Sequence, residues 1–254
     1  MTQKQRLEKI LDWLNVQYEI TAEDIMDEFK VSRDTARRDL VKLEEDGEIV
    51  RVRGGAILSS HMSAVAPYRE REMPKSKESI ARKASKLIRD HDYVLFDTST
   101  TVEMTARLMN SKNITAVTNS IDIVQILSER EGYTTYLAGG KFNRFNRNFT
   151  GFSASEDLKK YKTNVLFLGA CGIGVDGLTS PDEEEAHMKN SMISSSEKVI
   201  VLADSTKFQK RFFHGVCGLS DIDVLITNTV PHHEIKQKLE LFGIELIITE
   251  IEGG

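Results

Sequence analysis

Between Asp92 and Thr249 the chain repeats one pattern: a short, mostly apolar run, a small polar turn, then a helical stretch. Strands are expected at 92–97, 114–118, 133–138, 164–169, 198–203, 223–227 and 244–249. Helices are expected near 101–110, 121–129, 153–161, 182–195 and 231–241. Strands separated by helices pair in parallel, with the helices covering both faces of the sheet. The expected fold class is therefore α/β, built on a mainly parallel sheet. All strands of such a sheet end along one edge, and ligands bind outside those carboxyl ends.

The first 58 residues do not share this pattern. Leu7, Ile10, Leu11 and Leu14 recur at helical spacing. "TAEDIMDEF" offers Thr21 as an N-cap with Asp24 three residues on, close to a capping box, and an apolar stripe of Ile25, Met26 and Phe29. The turn Lys30-Val31-Ser32 leads into "RDTARRDLVKLEED", with Ser32 as N-cap and Gly47 as the stop. "EIVRVRGGAIL" then alternates apolar and charged residues around Gly54-Gly55, as a small hairpin does. Three helices and a hairpin form a winged helix-turn-helix pattern. "SSHMSAVAPYREREMPKSK" has two prolines and no clear period. The expected division is a DNA-binding domain at 1–58, a linker at 59–76, and an effector domain at 77–254 that opens with an amphipathic helix from Lys77 to Arg89.

On a wheel of 100° per residue, Ala36, Leu40 and Leu43 share one face of the third helix. Thr35, Arg38 and Lys42 lie roughly opposite, flanked by Arg33 and Arg37, with Ser32 at the start. A helix that is cationic on its exposed N-terminal half suits the major groove, where Arg pairs with guanine and Thr touches a base edge. Arg51 and Arg53 on the hairpin are expected to reach phosphate or the minor groove. The bland alternative is a solvated face: residues 1–58 hold ten Lys/Arg against thirteen Asp/Glu. The acids cluster elsewhere, at Glu23, Asp24, Asp27 and Glu28 and at Glu44, Glu45 and Asp46. With a net charge of −5 for the whole chain, the positive charge for DNA must be local.

The strand ends carry Asp97-Thr98-Ser99-Thr100-Thr101, Asn119-Ser120, Gly139-Gly140-Lys141, "GACGIGVDGLT", Asp204-Ser205-Thr206-Lys207 and Asn228-Thr229. Hydroxyls and N–H groups at a helix start favour an anion, and Lys207 adds positive charge. Asp97, Asn119 and Asp204 suit sugar hydroxyls, and Gly139 and Gly140 permit close backbone approach. The mixture fits a phosphorylated sugar better than an apolar ligand or, without GxGxxG or GxxxxGK[ST], a nucleotide. Asp97–Thr101 by itself fits a helix cap as well as a cradle; its place on the rim favours a cradle that also caps. "KFNRFNRNF", 141–149, interleaves aromatics with arginines as a single-strand nucleic-acid platform does. A loop flanking the pocket, or a subunit contact, is the preferred reading, with its arginines able to help hold an anion.

The longest apolar runs are five or six residues, too short to span a membrane, and "MTQKQRLEKI" lacks an apolar signal core. Two cysteines, Cys171 and Cys217, give no disulfide framework. A cytoplasmic protein is expected, without metal or other cofactor. Cys171 has no histidine at a catalytic spacing, and His232-His233 reads most simply as a helix start after Pro231.

"VSRDTARRDLVKLEEDGEIVRVRGGAIL" resembles the DeoR family of bacterial transcriptional regulators, through V-S-x-x-T-[IA]-R-R-D-L-x-x-L-E-x-x-G and R-x-x-G-G-A. Arg53 stands where the family most often has histidine. Asp97…Thr100-Thr101, Thr118-Asn119, Gly139-Gly140, Glu185-Ala186…Lys189…Met192 and Asp204–Phe208 look like that family's sensor domain, which is similar to ribose-phosphate and glucosamine-phosphate isomerase folds. The resemblance implies that Ser99, Thr100, Thr101 and Lys207 face a phosphate, and that Asp97, Asn119, Gly139, Gly140 and Asp204 line the pocket. It also implies that Lys77 adds a second positive charge. Ser99 replaces a common glycine, which alters how the loop turns, and Cys171 replaces a common Asp or Asn. The function implied is a DNA-binding repressor of a sugar uptake or catabolism operon. A phosphorylated sugar would release it from double-stranded operator DNA, which it would bind as a homo-oligomer, a dimer or tetramer. A ligand-dependent activator of the same kind is the alternative, and an isomerase-like enzyme is less favoured.

Overall fold

Thr21 and Asp24 cap each other's backbone in the computed structural model of the chain. The Thr21 hydroxyl accepts from the Asp24 N–H at 3.1 Å, and the Asp24 carboxylate accepts from the Thr21 N–H at 2.7 Å. The structure describes residues 2–16, 20–46, 48–52, 55–58, 68–71, 73–208 and 210–250. It divides into two units, Met1–Ala66 and Pro67–Gly254.

The first unit comprises α1 (Gln3–Val16), β1 (Ile20–Thr21), α2 (Ala22–Phe29), α3 (Arg33–Glu45), β2 (Ile49–Val52) and β3 (Gly55–Leu58). Lys30 turns left-handed at φ 51°, which stops α2, and the Ser32 hydroxyl caps α3 by accepting from the Thr35 N–H at 3.3 Å. Ala36, Leu40 and Leu43 meet Ile10, Leu14, Ile20 and Ile25 in one core, as the wheel requires. Strands β2 and β3 form the wing, and β1 extends it antiparallel in the order β1-β3-β2. Gly47, Arg53 and Gly54 lie outside the described residues. Arg51 pairs with Ala56 across the wing, but its side chain is likewise outside them.

The stretch expected to be linker is not uniform. Tyr68–Glu70 forms a short 3-10 turn whose Tyr68 is buried in the second unit. Helix α4 (Lys75–Ser85) starts two residues before the expected Lys77, directly after Pro74, and stops short of Arg89.

All seven expected strands then appear, each trimmed by a residue or two, and they form one sheet. They are β4 (Tyr93–Phe96), β5 (Thr115–Thr118), β6 (Thr134–Leu137), β9 (Val165–Gly169), β12 (Val199–Leu202), β14 (Val224–Thr227) and β15 (Glu245–Ile248). Their order is β15-β14-β12-β9-β4-β5-β6, and every pairing is parallel. Helices α5 (Thr100–Leu108), α6 (Ile121–Ser128), α7 (Phe152–Leu158), α8 (Glu183–Ser194) and α9 (His233–Leu241) fall where expected. His232 occupies the N-cap position of α9, without a side-chain capping bond.

Alternation along the strands splits the core in two. Leu95, Leu166, Leu168 and Val201 point to one face, and Val94, Phe96, Phe167 and Ile200 to the other. Phe96 and Phe167 stack with centroids 5.8 Å apart. Strands run outward from β4 in one direction and from β9 in the other, so the topological switch point lies between these two.

Two small antiparallel features decorate this sheet. Strands β7 (Lys141–Asn143) and β8 (Asn148–Thr150) pair as a hairpin, and β10 (Gly172–Gly174), β11 (Gly177–Ser180) and β13 (His214–Cys217) form a second sheet. Thus "KFNRFNRNF" is a hairpin rather than a loop, with Phe142 and Phe149 in ring contact at 5.3 Å.

Candidate functional site

Asp97 and Gly169 stand at the carboxyl ends of β4 and β9, on either side of the switch point. The Asp97 carboxylate accepts from the Gly169 N–H at 3.0 Å and from the Lys189 ammonium, which also donates to the Gly169 carbonyl at 2.9 Å. All of this is buried: Asp97 is 2% exposed and Lys189 6%. Burial acts against the Lys189 charge, but the Asp97 carboxylate, with Cys171 and Glu185, outweighs it and holds the ammonium above its ordinary value. Asp97 is thus engaged within the protein as the floor of the rim.

Ser99 settles how the next turn is made. Its φ of −156° is extended, so the position asks nothing of a glycine. Its hydroxyl caps α5, accepting from the Val102 N–H at 3.4 Å. The N–H groups of Thr100 and Thr101 belong to the first helical turn, which the helix itself leaves without partners. Glycine is required across the gap instead: a Cβ at Gly169 would lie 2.3 Å from the Ser99 Cβ. The Thr101 side chain is buried, and Thr100 lies within 3.5 Å of the Lys77 ammonium.

Asn119, after β5, accepts from the Thr98 hydroxyl at 2.9 Å and donates to the Phe149 carbonyl at 3.0 Å. That ties the rim to the β7–β8 hairpin. Gly139 faces open space, whereas a Cβ at Gly140 would meet the Thr150 carbonyl at 2.7 Å and Ala154 at 2.9 Å. Close approach at Gly140 is therefore made by the protein's own β8 and α7. Asp204 caps the 3-10 turn Ser205–Lys207, accepting from the Thr206 N–H at 2.8 Å, and so fixes the half-buried Lys207.

Lys189, Glu185 and Arg71 belong to this site although the strand-end reading did not select them. Helix α8 carries Glu185 and Lys189 one turn apart on its buried face. The signal was in the sequence, in the Glu185…Lys189 spacing. Burial pushes the Cys171 thiol up, and so does Glu185, while the charges of Lys189, Lys207 and Arg71 pull the other way. Burial first, and then the Lys207 charge, depress the Lys210 ammonium. The Arg71 guanidinium donates to the Asn146 amide oxygen, and the Tyr68 N–H donates to the Phe145 carbonyl at 2.9 Å, so both hold the β7–β8 hairpin. The Tyr68 hydroxyl donates to Glu103 at 2.7 Å, and an open cleft of ≈ 320 Å³ lies among Arg71, Met73, Thr100, Glu103 and Asp122. Arg147, expected to be available to an anion, instead holds Asp122 with two bonds of 2.8 Å. A charge-matched partner on α6 wins over solvent there.

In the first unit, Arg33, Arg37, Arg38 and Lys42 are exposed on α3, and Thr35 is half-buried against the Ser32 hydroxyl at 3.0 Å. Lys42 pairs with Asp46 at 2.7 Å across an exposed turn. Asp39, in the middle of this cationic row, is fully buried, bound by the Arg6 guanidinium and by Gln3 at 3.1 Å. Its negative charge is neutralised inside the fold and does not oppose a phosphate backbone.

A family model described as a DeoR-like helix-turn-helix domain matches residues 6–61, and one described as the DeoR C terminal sensor domain matches residues 72–229. The chain is 41% identical over 256 residues to the HTH-type transcriptional repressor GlcR of Bacillus subtilis (strain 168), covering 100% of this chain and 99% of the relative. It is 34% identical over 241 residues to the lactose phosphotransferase system repressor of Lactococcus lactis subsp. lactis, covering 92% and 94%. Ribose 5-phosphate isomerase A from Methanocaldococcus jannaschii superposes on 52% of this chain and 53% of its own, with 16% identity and a TM-score of 0.36, too low to carry a conclusion. A helix-turn-helix unit that presents four cations on its third helix, followed by a parallel α/β unit with a polar rim and matched end to end by these relatives, places the chain in the DeoR family of transcriptional regulators.

Proposed function

We propose that this regulator represses genes for sugar uptake or catabolism and leaves its operator when a phosphorylated sugar enters the rim. The observation that carries the reading is the open cleft that brings Arg71 together with Thr100, in the first turn of α5, whose hydroxyl lies 3.5 Å from the Lys77 ammonium. Cations and unpaired helix N–H groups together suit a phosphate, and the hydroxyls and amides around them suit a polyol. The names of the relatives, a phosphotransferase-system repressor among them, agree with that ligand class. Residues 1–58 read the DNA and 77–254 sense the sugar. A homo-oligomer in the cytoplasm presents repeated α3 helices to operator half-sites. Ligand releases DNA to the extent that it binds the non-operator state more tightly.

A gel-shift titration of the protein on its own upstream DNA, with and without glucose 6-phosphate, fructose 6-phosphate and galactose 6-phosphate, tests this. Release by one of them supports repression, tighter binding makes the protein a ligand-dependent activator, and indifference to all removes the effector assignment. NMR of the same sugar phosphates incubated with the protein would show isomerised product if the site is catalytic.

A further inference from the structure

Behind the cationic rim, one buried amide lacks a full set of partners. Asn148, at the start of β8, is 3% exposed; its Nδ2 donates to Glu185 Oε1 over a long 3.4 Å, and its Oδ1 has no hydrogen-bond partner among the described residues. Turning the amide over would exchange the ends and strand the NH2 group instead. An unpaired buried polar group is costly, and an apolar side chain would remove the cost.

The position is specific. The Asn148 backbone bridges Ser120, next to Asn119 at the end of β5, while its side chain reaches α8 one turn before Lys189. Asn148 therefore lies between the rim and the helix whose lysine braces it. Glu185 is 8% exposed and held above the ordinary carboxylic value, by burial first, against the pull of Lys189. Neither residue is suited to a phosphate, since one is neutral and the other acidic. An amide facing a carboxyl suits a group that donates and accepts at once, which a sugar hydroxyl does and a phosphate dianion does not.

We propose that Asn148 and Glu185 read a hydroxyl of the effector, so that the site selects a sugar phosphate over a bare phosphate or a phosphorylated compound lacking that hydroxyl. This rests on the rim being a sugar-phosphate site. A pocket built to bond a hydroxyl rejects the analogue that lacks it, because its own polar groups are then left unpaired.

Calorimetric titration of the full chain tests it with inorganic phosphate, glucose 6-phosphate, its mannose and galactose epimers, and the 2-deoxy and 3-deoxy analogues. In Asn148→Ala, the preference for the best sugar phosphate over inorganic phosphate should fall about tenfold or more. One deoxy analogue should bind wild type about as weakly as the full sugar binds the variant. Glu185→Gln keeps the side-chain volume and should lower the same preference; with the deoxy series on wild type it decides the matter even if Asn148→Ala folds poorly. Unchanged preference in both variants would overturn the proposal, assigning Asn148 to an ordered water, while the sugar-phosphate reading stood. If wild type binds inorganic phosphate but none of the sugars, that reading itself fails and the hydroxyl reader falls with it.

Discussion

One lysine joins the two central strands: Lys189 donates to the Asp97 carboxylate at the end of β4 and to the Gly169 carbonyl at the end of β9. The pair is buried, so removing one partner leaves the other charged and without compensation. Lys189→Met should destabilise the sensor unit by about 3–5 kcal/mol in urea denaturation. Asp97→Asn with Lys189→Met should recover part of the loss. A single variant as stable as wild type would show that the pair contributes nothing.

Ser99 and Gly169 fit as a complementary pair. Gly169→Ala should cost about 1–3 kcal/mol, because the new methyl group meets the Ser99 Cβ and the strand end cannot give way. Ser99→Gly alone should cost only about 0.3 kcal/mol, the difference between serine and glycine as N-caps. The double variant should be more stable than Gly169→Ala alone, a coupling that thermal unfolding of all four proteins would resolve. Additive losses would mean that the two positions do not touch.

The two units should fail separately. Arg38→Ala should weaken specific operator binding by about 1–3 kcal/mol while leaving sugar-phosphate affinity intact. Lys207→Ala should bind operator normally and stay bound at effector concentrations that release wild type. Measured side by side in gel shifts, a Lys207→Ala protein that releases DNA normally would remove Lys207 from the pocket, and undiminished operator affinity in Arg38→Ala would remove that residue from the reading face.

Glu185 gives stability a pH dependence whose sign follows from its environment. Its folded carboxyl is held above the ordinary 4.5, by burial first. The protonated form is thus favoured by folding; its contribution is complete below 4.5 and is lost as pH rises through the folded value. Glu185→Gln should therefore melt above wild type at neutral pH, and the gap should close as pH falls below the ordinary carboxylic range. A gap that does not vary with pH would show that Glu185 does not titrate differently on folding.

The five inner strands were legible because each is a mostly apolar run buried on both faces, as a parallel sheet demands, and the exposed edge strands β6 and β15 were legible from their place in the strand–helix alternation. The third helix was legible because Ala36, Leu40 and Leu43 keep one face. The β7–β8 hairpin was not, since Asn143, Arg144, Asn146 and Arg147 break any alternation and Arg147 is spoken for by Asp122. Lys189 and Glu185 lie inside a helix, away from the strand ends where ligand residues were sought, and only the packing of α8 brings them to the rim. Ser99 lies in extended backbone that any residue adopts, a property residue type alone does not reveal, and the close contact that demands a glycine falls 70 residues away at Gly169.

Asp39 sits between Arg38 and Leu40 in sequence but belongs to the interior, fastened to α1 through Arg6 and Gln3. On a helix, fixing the azimuth of one residue fixes that of its neighbours. The anchor therefore sets where Arg37 and Arg38 stand without taking part in what they touch. If Arg37 and Arg38 read base edges, base preference can drift by substitution at 37 or 38 while the pose of the helix stays constant, whereas a change at 39 would turn both at once. Orientation and vocabulary are stored at adjacent positions yet remain separately heritable.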